Sequence, residues 1–334
     1  MNILITGSAG FIGFHISKLF LKKGHTVYGI DNLNHYYDVR LKRARNKILL
    51  QQKRYKFSKI NINSTKKVSS LFKKNNFDLV IHLAAQAGVR YSLKNPKVYI
   101  DSNIKGFFNI INSLKENNIK NFIYASSSSI YGNSNRSVFK EDEKATSPIQ
   151  LYAATKRSNE LIAHAYSSIY KINTIGLRFF TVYGPWGRPD MVLFKFVKNI
   201  LNNKSIELFN FGNHYRDFTY IEDAVDILFK LSKIKIKREK KQNFENSSNS
   251  KSRFEIFNVS SGKKIYLKKF LGIIEKNLNK KAKIKLLPLQ KGDVVQTLSS
   301  KRKLKEFINL KPPVSVRIGI KKFIFWFKQY HNLK

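Results

Sequence analysis

A tyrosine and a lysine four positions apart, Tyr152 and Lys156, are the residues of this sequence best suited to acid–base chemistry. At this spacing on a helix, the phenol and the ammonium lie on one face. A nearby cation lowers the phenol pKa from about 10 toward neutrality, which a general base requires. Other Tyr/Lys pairs share this spacing, so position has to single out the catalytic one.

A serine run, residues 126–129, precedes the pair at the end of a predicted strand. Ligands of open α/β sheets bind at the carboxyl ends of their strands. A hydroxyl there can hydrogen-bond the substrate oxygen from which Tyr152 removes a proton. An isolated serine run is more simply a polar turn, but the Tyr/Lys pair downstream favours a catalytic role.

Three glycines, Gly7, Gly10 and Gly13, separate the first predicted strand from the first predicted helix. Glycines permit a tight turn and let backbone N–H groups approach a pyrophosphate, while the helix N-terminus adds partial positive charge. Asp31 follows at the end of the second predicted strand, where a carboxylate binds both adenosine ribose hydroxyls and repels a 2′-phosphate. These residues predict NAD as the cofactor, not NADP.

Strand-like and helix-like segments alternate through the first half of the chain. This order predicts an α/β fold, a Rossmann-type doubly wound parallel sheet with a smaller, partly interleaved C-terminal α/β substrate domain. The predicted strands are 2–6, 26–30, 56–60, 79–83, 121–126 and 174–177, and the main helices between them are 11–23, 65–74, 102–116 and 152–170.

The predicted domains follow from a change of pattern after about residue 180. Residues 1–180 form the NAD-binding domain, with returning segments near 205–230 and 254–260. Residues 181–334 form most of the substrate domain. The polar, charged run 235–253 predicts a disordered surface insertion.

Composition excludes several classes of protein. The chain has 334 residues, 42% of them hydrophobic, and no cysteine, which excludes a disulfide framework and a wholly disordered chain. Its apolar runs are far shorter than the roughly 18 residues of a membrane span. No secretory leader is expected because a strand pattern begins at once, so the predicted location is cytoplasmic. The His residues lack ligand spacing, and no metal site is predicted.

The net charge of +42, from 63 Lys and Arg against 21 Asp and Glu, has two explanations. A polyanion-binding surface is one. The other is an AT-rich coding pool, which favours lysine and asparagine. The cations are spread along the whole chain, which favours the second explanation, and no specific nucleic-acid partner is expected. Either way the field favours anionic substrates.

Taken in order, the motifs resemble the extended short-chain dehydrogenase/reductase superfamily, in its nucleotide-sugar epimerase/dehydratase branch. The matching segments are 6–13, 31–32, 82–85, 126–132, 152–156, 178–185 and 216–223. Three stretches, 31–39, 85–92 and 179–191, are similar to UDP-glucuronate 4-epimerases. Galactose-type epimerases usually carry Asn at the position of Thr181, where a small hydroxyl leaves room and a donor for a substrate carboxylate.

The resemblance implies 4-epimerisation of a UDP-sugar, UDP-glucuronate to UDP-galacturonate, through a 4-keto intermediate with transient NADH. It makes Tyr152 the general base on the sugar 4-OH. Lys156 holds the nicotinamide ribose and lowers the Tyr152 pKa, and Ser127 bridges Tyr152 and the 4-OH. NAD is regenerated in each turnover and stays bound.

The resemblance also implies binding residues and an assembly. The cofactor-binding residues are Gly7, Gly10, Phe11, Ile12, Gly13, Asp31, Asn32, Asn61, Ile62, Leu83, Ala84, Ala85, Asn103, Tyr152 and Lys156. The substrate-binding residues are Arg90, Ser127, Ser128, Thr181, Arg188, Arg216 and Asp293. A homodimer through the helices 102–116 and 152–170 is expected.

Three positions depart from the family pattern: Asn61 and His35 each replace a usual Asp, and Lys291 replaces a usual Pro. Other functions stay open: 4-epimerisation of a UDP-N-acetylhexosamine or its uronic acid, and decarboxylation of a UDP-uronate. A dehydratase is disfavoured, because that branch carries Asp-Glu where this chain has Ser128 and Ser129. An NAD-sensing or polyanion-binding protein without catalysis is the alternative from a different class.

Overall fold

The computed structural model describes residues 1–132, 137–234, 252–290 and 292–333. Its strands are β1 Asn2–Thr6, β2 Thr26–Asp31, β3 Tyr55–Lys59, β4 Leu79–His82, β5 Asn121–Ser127, β6 Asn173–Phe179, β7 Thr181–Tyr183, β8 Ile206–Leu208, β9 Tyr215–Tyr220, β10 Phe254–Val259, β11 Lys264–Tyr266 and β12 Ile284–Leu286. Its α-helices are α1 Phe11–Lys22, α2 Val39–Leu50, α3 Thr65–Lys73, α4 Tyr91–Lys94, α5 Pro96–Tyr99, α6 Gly106–Glu116, α7 Leu151–Tyr170, α8 Val192–Leu201, α9 Ile221–Leu231, α10 Leu267–Leu278, α11 Arg302–Phe307 and α12 Val316–Tyr330.

The chain divides into two compact units. Unit 1 comprises 1–133, 141–179 and 228–258, and unit 2 comprises 134–140, 180–227 and 259–334, within the described parts of these ranges. Most of the predicted insertion, residues 235–251, and the departure at Lys291 lie outside the described residues.

Unit 1 is built on a seven-stranded sheet in the order β10-β6-β5-β4-β1-β2-β3. The strands from β6 to β3 pair in parallel, so each connection crosses over through a helical segment. Apolar side chains such as Ile3, Leu4 and Ile5 have no exposed surface, as expected for a sheet covered on both faces. The sheet confirms the predicted α/β fold class.

The register of the central strands sets the place of the site. Thr6 at the end of β1 lies opposite Ile30 of β2 and His82 of β4. The carboxyl ends of three strands therefore meet at one edge, and the segments that follow them start side by side.

Unit 2 contains a three-stranded sheet, β11-β9-β7, and the two-stranded pair of β12 and β8. The predicted returning segment near 205–230 differs from this arrangement. Because β9 pairs with β7 and β11, residues up to 227 belong to unit 2, and the chain rejoins unit 1 only from residue 228. The other predicted return, near 254–260, coincides with β10 beside β6.

Most aromatic residues of α12 pack inside unit 2, whereas Phe325 is exposed. Phe323 and Phe327 are buried, and the Phe327 ring centroid lies 5.1 Å from that of Phe194 on α8. Within the described ranges, no helix combines the length and apolar character needed to cross a bilayer.

Candidate functional site

The turn after β1 leaves no room for side chains at its glycine positions. Gly7 has φ of +71°, and a Cβ there would lie 2.8 Å from the Ala84 nitrogen, in the segment that follows β4. The Gly7 N–H donates to the Ile30 carbonyl at 2.7 Å, which fixes the turn against β2. A Cβ on Gly13 would lie 2.1 Å from the Gly7 carbonyl oxygen. The three glycines thus bring α1 against the turn at van der Waals limits.

The start of α1 is suited to an anion. The helix begins at Phe11 after Gly10, and its first turn carries no acidic residue. Backbone N–H groups at a helix N-terminus and the helix dipole both favour a phosphate at such a place. Phe11 is buried and Ile12 is half-buried, so the first turn offers its backbone there.

Asp31, at the end of β2, is 8% exposed and accepts a hydrogen bond from the Leu33 N–H at 2.8 Å. Burial raises the pKa of this carboxyl, and the positive charges of Lys42 and Arg45 oppose that rise. Both cations lie on α2. Sequence reasoning missed them, because a charged helix usually faces solvent.

These two cations are themselves fixed. Lys42 Nζ donates to the Asn34 carbonyl at 2.9 Å, and Arg45 donates to the Ala9 carbonyl at 3.0 Å. Arg45 is fully buried. The carboxylate expected at an adenosine ribose therefore lies in a preorganised, positively charged setting.

Lys156 is 2% exposed, and its Nζ donates to the Ala125 carbonyl of β5 at 2.8 Å. Burial lowers the Lys156 pKa to about 8. Tyr152, one turn earlier on α7, has its ring edge-on to Tyr99, with centroids 6.1 Å apart. The ammonium is thus held against the strand that ends at Ser127.

Ser127 is buried at the end of β5. Its Oγ donates to Ser129 Oγ at 3.1 Å and accepts from the Ser129 N–H at 3.2 Å. Ser128 begins a 3₁₀ turn, Ser128–Tyr131, and is half-buried. The serine run therefore caps a tight turn at the carboxyl edge of the sheet.

Asn103 links the segment after β4 to α7. It lies in a π-helical turn, Ile100–Lys105, which replaces the first part of the predicted helix 102–116. Its Nδ2 donates to the Gln86 carbonyl and to Thr155 Oγ1, each at 3.1 Å, and its Oδ1 accepts from the Gln86 N–H at 2.8 Å. π-Turns often occur at functional sites.

The other predicted cofactor residues occupy the loops at the same strand ends. The Ala84 N–H donates to Thr6 Oγ1 at 3.1 Å, and Leu83 and Ala85 flank it. Asn32 and Asn61 each accept a backbone hydrogen bond from the residue two positions on, and Ile62 is buried. The segments after β1 to β4 therefore converge on one edge.

Arg90 is exposed and directly precedes α4. It follows Gly88, whose φ is +101°. Tyr99 Oη donates to the Ala87 carbonyl at 2.9 Å and so ties this loop to the segment that carries the π-turn.

In unit 2, the structure brings two of the predicted substrate residues together. Arg216 Nη2 donates to Asp293 Oδ1 at 3.1 Å, and Arg216 Nη1 donates to the Val295 carbonyl at 3.0 Å. His214 Nε2 lies 3.7 Å from Asp293 Oδ2, a neighbour that no sequence signal indicated. Burial lowers the His214 pKa, and the charge of Arg216 lowers it further.

The remaining two predicted residues of unit 2 have other surroundings. Arg188 Nε donates to Asp190 Oδ1 at 3.0 Å, and both side chains are half-buried. Thr181 begins β7, opposite Phe218 of β9. In the part of the chain that the structure describes, no cluster of His, Asp or Glu side chains could hold a metal ion.

The fold and the site define a class of protein. The chain belongs to the NAD-dependent epimerase/dehydratase family, whose model matches residues 3–243. This confirms the family predicted from the motifs. The glycine turn at Gly7, the start of α1 and the buried Asp31 fit a dinucleotide cofactor.

Several known proteins are similar to this chain over nearly its whole length. Protein CapI of Staphylococcus aureus is 44% identical over 338 residues, 99% of this chain and 100% of that protein. A probable UDP-glucuronate 4-epimerase of Rhizobium meliloti (strain 1021) is 42% identical over 335 residues, 99% of this chain and 98% of that protein. A crystal structure of the Bacillus cereus UDP-glucuronic acid 4-epimerase, in complex with UDP-glucuronic acid and NAD, matches with a TM-score of 0.89 at 30% identity, covering 99% of this chain and 100% of that one.

Proposed function

We propose that this protein interconverts UDP-glucuronate and UDP-galacturonate by NAD-dependent 4-epimerisation. The observation that carries the proposal is the buried ammonium of Lys156, fixed on β5 beside Ser127 and one helical turn from Tyr152. The full-length similarity to UDP-glucuronate 4-epimerases supports the choice of substrate.

The cofactor would be held by the first unit. The backbone at the start of α1 binds the pyrophosphate, Asp31 binds the adenosine ribose, and Lys156 binds the nicotinamide ribose. When bound, NAD would supply the reversible hydride acceptor that 4-epimerisation needs at C4 of the sugar. The remaining loop residues after β3 and β4, including Asn61 and Ala85, would line the cofactor.

The chain's own groups move the proton. Tyr152 takes the proton of the 4-OH and returns it after the sugar has turned over. The charge of Lys156 stabilises the phenolate, which lowers the Tyr152 pKa. The Ser127 hydroxyl hydrogen-bonds the same sugar oxygen and orients it toward Tyr152.

Charged and hydroxyl groups would bind the rest of the substrate. Ser128 and Thr181 hydrogen-bond the uronate carboxylate. Arg90 and Arg188 meet the carboxylate side or the diphosphate, where planar guanidinium groups suit oxyanions. Arg216, oriented by Asp293, contacts the nucleotide diphosphate.

Proton NMR of the purified protein with UDP-glucuronate and no added NAD tests the function. A new galacto-configured anomeric signal that reaches a stable ratio is the expected result. A pentose signal with loss of CO₂ would show a decarboxylase. No change, followed by turnover of UDP-N-acetylhexosamines, would move the substrate class, and inactivity with all of these and added NAD would refute the epimerase.

Turnover is expected to fall as the pH rises above about 8. The Lys156 pKa is lowered to about 8 by burial, so raising the pH through this value removes the positive charge. Without it the phenol pKa returns toward about 10, so a smaller share of Tyr152 is phenolate just above pH 8 than if the ammonium had kept its charge. The check is kcat measured across this range, with bound NAD quantified at each pH. A flat profile while NAD stays bound would contradict the role of Lys156.

Asp31→Ser is expected to reduce the preference for NAD over NADP by about tenfold or more, since a like charge beside a 2′-phosphate costs several kcal/mol. The neighbouring charges of Lys42 and Arg45 then attract the added phosphate. Fluorescence titration of cofactor-stripped protein measures both affinities. Asp38→Ser, which removes an exposed carboxylate from the same segment, is the matched control and should leave the preference unchanged.

We also propose a homodimer through α6 and α7. Three large apolar side chains of these helices are exposed: Phe108, Leu161 and Ile169 are 46%, 58% and 67% exposed. Leu161 and Ile169 are two turns apart on one face of α7. Light scattering of the intact protein should give twice the chain mass, and Leu161→Glu should shift it to the monomer.

A further inference from the structure

A buried ion pair lies one helical turn beyond Lys156. Arg178 Nε and Nη2 on β6 donate to the two carboxylate oxygens of Glu160 on α7, each at 3.0 Å. Both side chains are 1% exposed. Arg157 Nη1 adds a third bond to Glu160 Oε2 at 2.8 Å. Burial opposes ionisation, but these guanidiniums bring the Glu160 pKa below its ordinary value.

The ion pair contacts both ends of the serine turn, the segment of residues 126–131. Ser126 Oγ donates to Glu160 Oε1 at 2.6 Å, and Arg178 Nη1 donates to Tyr131 Oη at 2.8 Å. Ser126 directly precedes Ser127, and Tyr131 ends the 3₁₀ turn that Ser128 begins. The segment 126–131 is therefore fastened to the ion pair at its first and last residues.

The same ion pair keeps Glu160 from pairing with Lys156. Tyr152, Lys156 and Glu160 follow at four-residue spacing on α7, so a Lys156–Glu160 ion pair would be the ordinary outcome. The Glu160 oxygens instead accept from Arg178, Arg157 and Ser126, and Lys156 donates to a backbone carbonyl. The charge of the Lys156 ammonium is therefore not neutralised by Glu160 and can stabilise the phenolate of Tyr152.

Stability alone does not account for this arrangement. Well-packed apolar residues often replace a buried ion pair with no loss of stability, because desolvation of the two ions offsets their attraction. Apolar residues would lack the directional bonds to Ser126 and Tyr131. We propose that Glu160 and Arg178 are positioning residues that set Ser127 and Ser128 relative to Tyr152, an inference that rests on the proposed epimerase function.

Ser126→Ala is the mildest test, because it removes one bond to Glu160 and leaves the ion pair intact. A small misplacement of a reacting group is costly, so kcat for UDP-glucuronate should fall about tenfold. KM and bound NAD should stay unchanged. The matched control is Ser167→Ala, which removes another buried hydroxyl of unit 1 that donates to the Ile172 carbonyl at 2.8 Å, and it should keep full activity.

Arg178→Lys is the stronger test. Lysine keeps the positive charge but cannot hold Glu160 and Tyr131 together as the planar guanidinium does. We expect kcat to fall about 10²-fold. The alkaline limb of the pH–rate profile should move to higher pH, because a less firmly held Glu160 raises the Lys156 pKa. Wild-type kcat and an unmoved limb in both variants would overturn the proposal.

Hydrogen exchange separates this proposal from the substrate assignment. In Ser126→Ala and Arg178→Lys, the backbone amides of residues 127–131 should exchange faster than in Ser167→Ala, with no substrate present. If the wild type fails to turn over UDP-glucuronate, the proposed function fails. The exchange rates still test whether the ion pair positions residues 127–131. Equal exchange in all three variants would show that the ion pair does not position the serine turn.

Discussion

Tyr152→Phe is expected to lower kcat by about 10²–10⁴-fold, the usual contribution of a general base, with NAD still bound. The substitution removes only the phenol oxygen and keeps the ring that packs edge-on against Tyr99. The glycine turn, Asp31 and Lys156 are unchanged by this substitution, so NAD binding should persist. Turnover by NMR and the NAD released on denaturation are the two measurements.

Tyr170→Phe is the matched control for this prediction. It makes the same change at the last residue of the same helix, where the ring packs against Tyr166. It should leave kcat unchanged. A Tyr152→Phe enzyme with activity near that of this control would exclude Tyr152 as the base.

Gly13→Ala is expected to abolish retention of NAD and to destabilise the protein by about 1–3 kcal/mol, as overpacking does. The new Cβ would lie 2.1 Å from the Gly7 carbonyl oxygen and 3.0 Å from the Ser8 Cα, both backbone atoms that cannot rotate away. The turn has to move, and the amides at the start of α1 move with it. Urea unfolding and quantification of co-purified NAD measure the two effects.

Gly272→Ala gives a sharp contrast. This glycine also lies within a helix, α10, but a Cβ there would have no neighbouring atom within 4 Å. Alanine is the better helix former by about 1 kcal/mol, so the control should be as stable as the wild type or more so, with NAD retained. Equal behaviour of the two variants would mean that the close approach at Gly13 is unimportant.

The parts of the site that could be predicted from sequence are those fixed by local spacing. The glycine turn and the Tyr152–Lys156 pair depend on residues within two helical turns, so their geometry follows from the sequence alone. The strand–helix alternation likewise predicted the parallel sheet. Residue type and spacing are sufficient where the constraint is short in range.

Contacts between residues far apart in the sequence could not be predicted from residue type and local spacing. The bond between Arg178 and Glu160 joins a strand to a helix, and the coupling of Lys42 to Asp31 depends on how α2 packs. A return to the first domain near 205–230 was predicted, but β9 in this segment pairs with β7 and β11, and such pairing does not follow from a local sequence pattern. The family resemblance implied that Arg216 and Asp293 each bind the substrate, but their contact with each other was not predicted.

The position of β10 has a consequence for synthesis. This strand lies beside β6 at the edge of the seven-stranded sheet, yet the chain builds much of unit 2, residues 180–227, before it reaches Phe254. A nascent chain that ends near residue 180 would therefore present β6 as an open edge, which favours pairing with other chains. The nucleotide-binding unit cannot be completed first on the ribosome, and a fragment cut at the apparent domain boundary would be prone to aggregate.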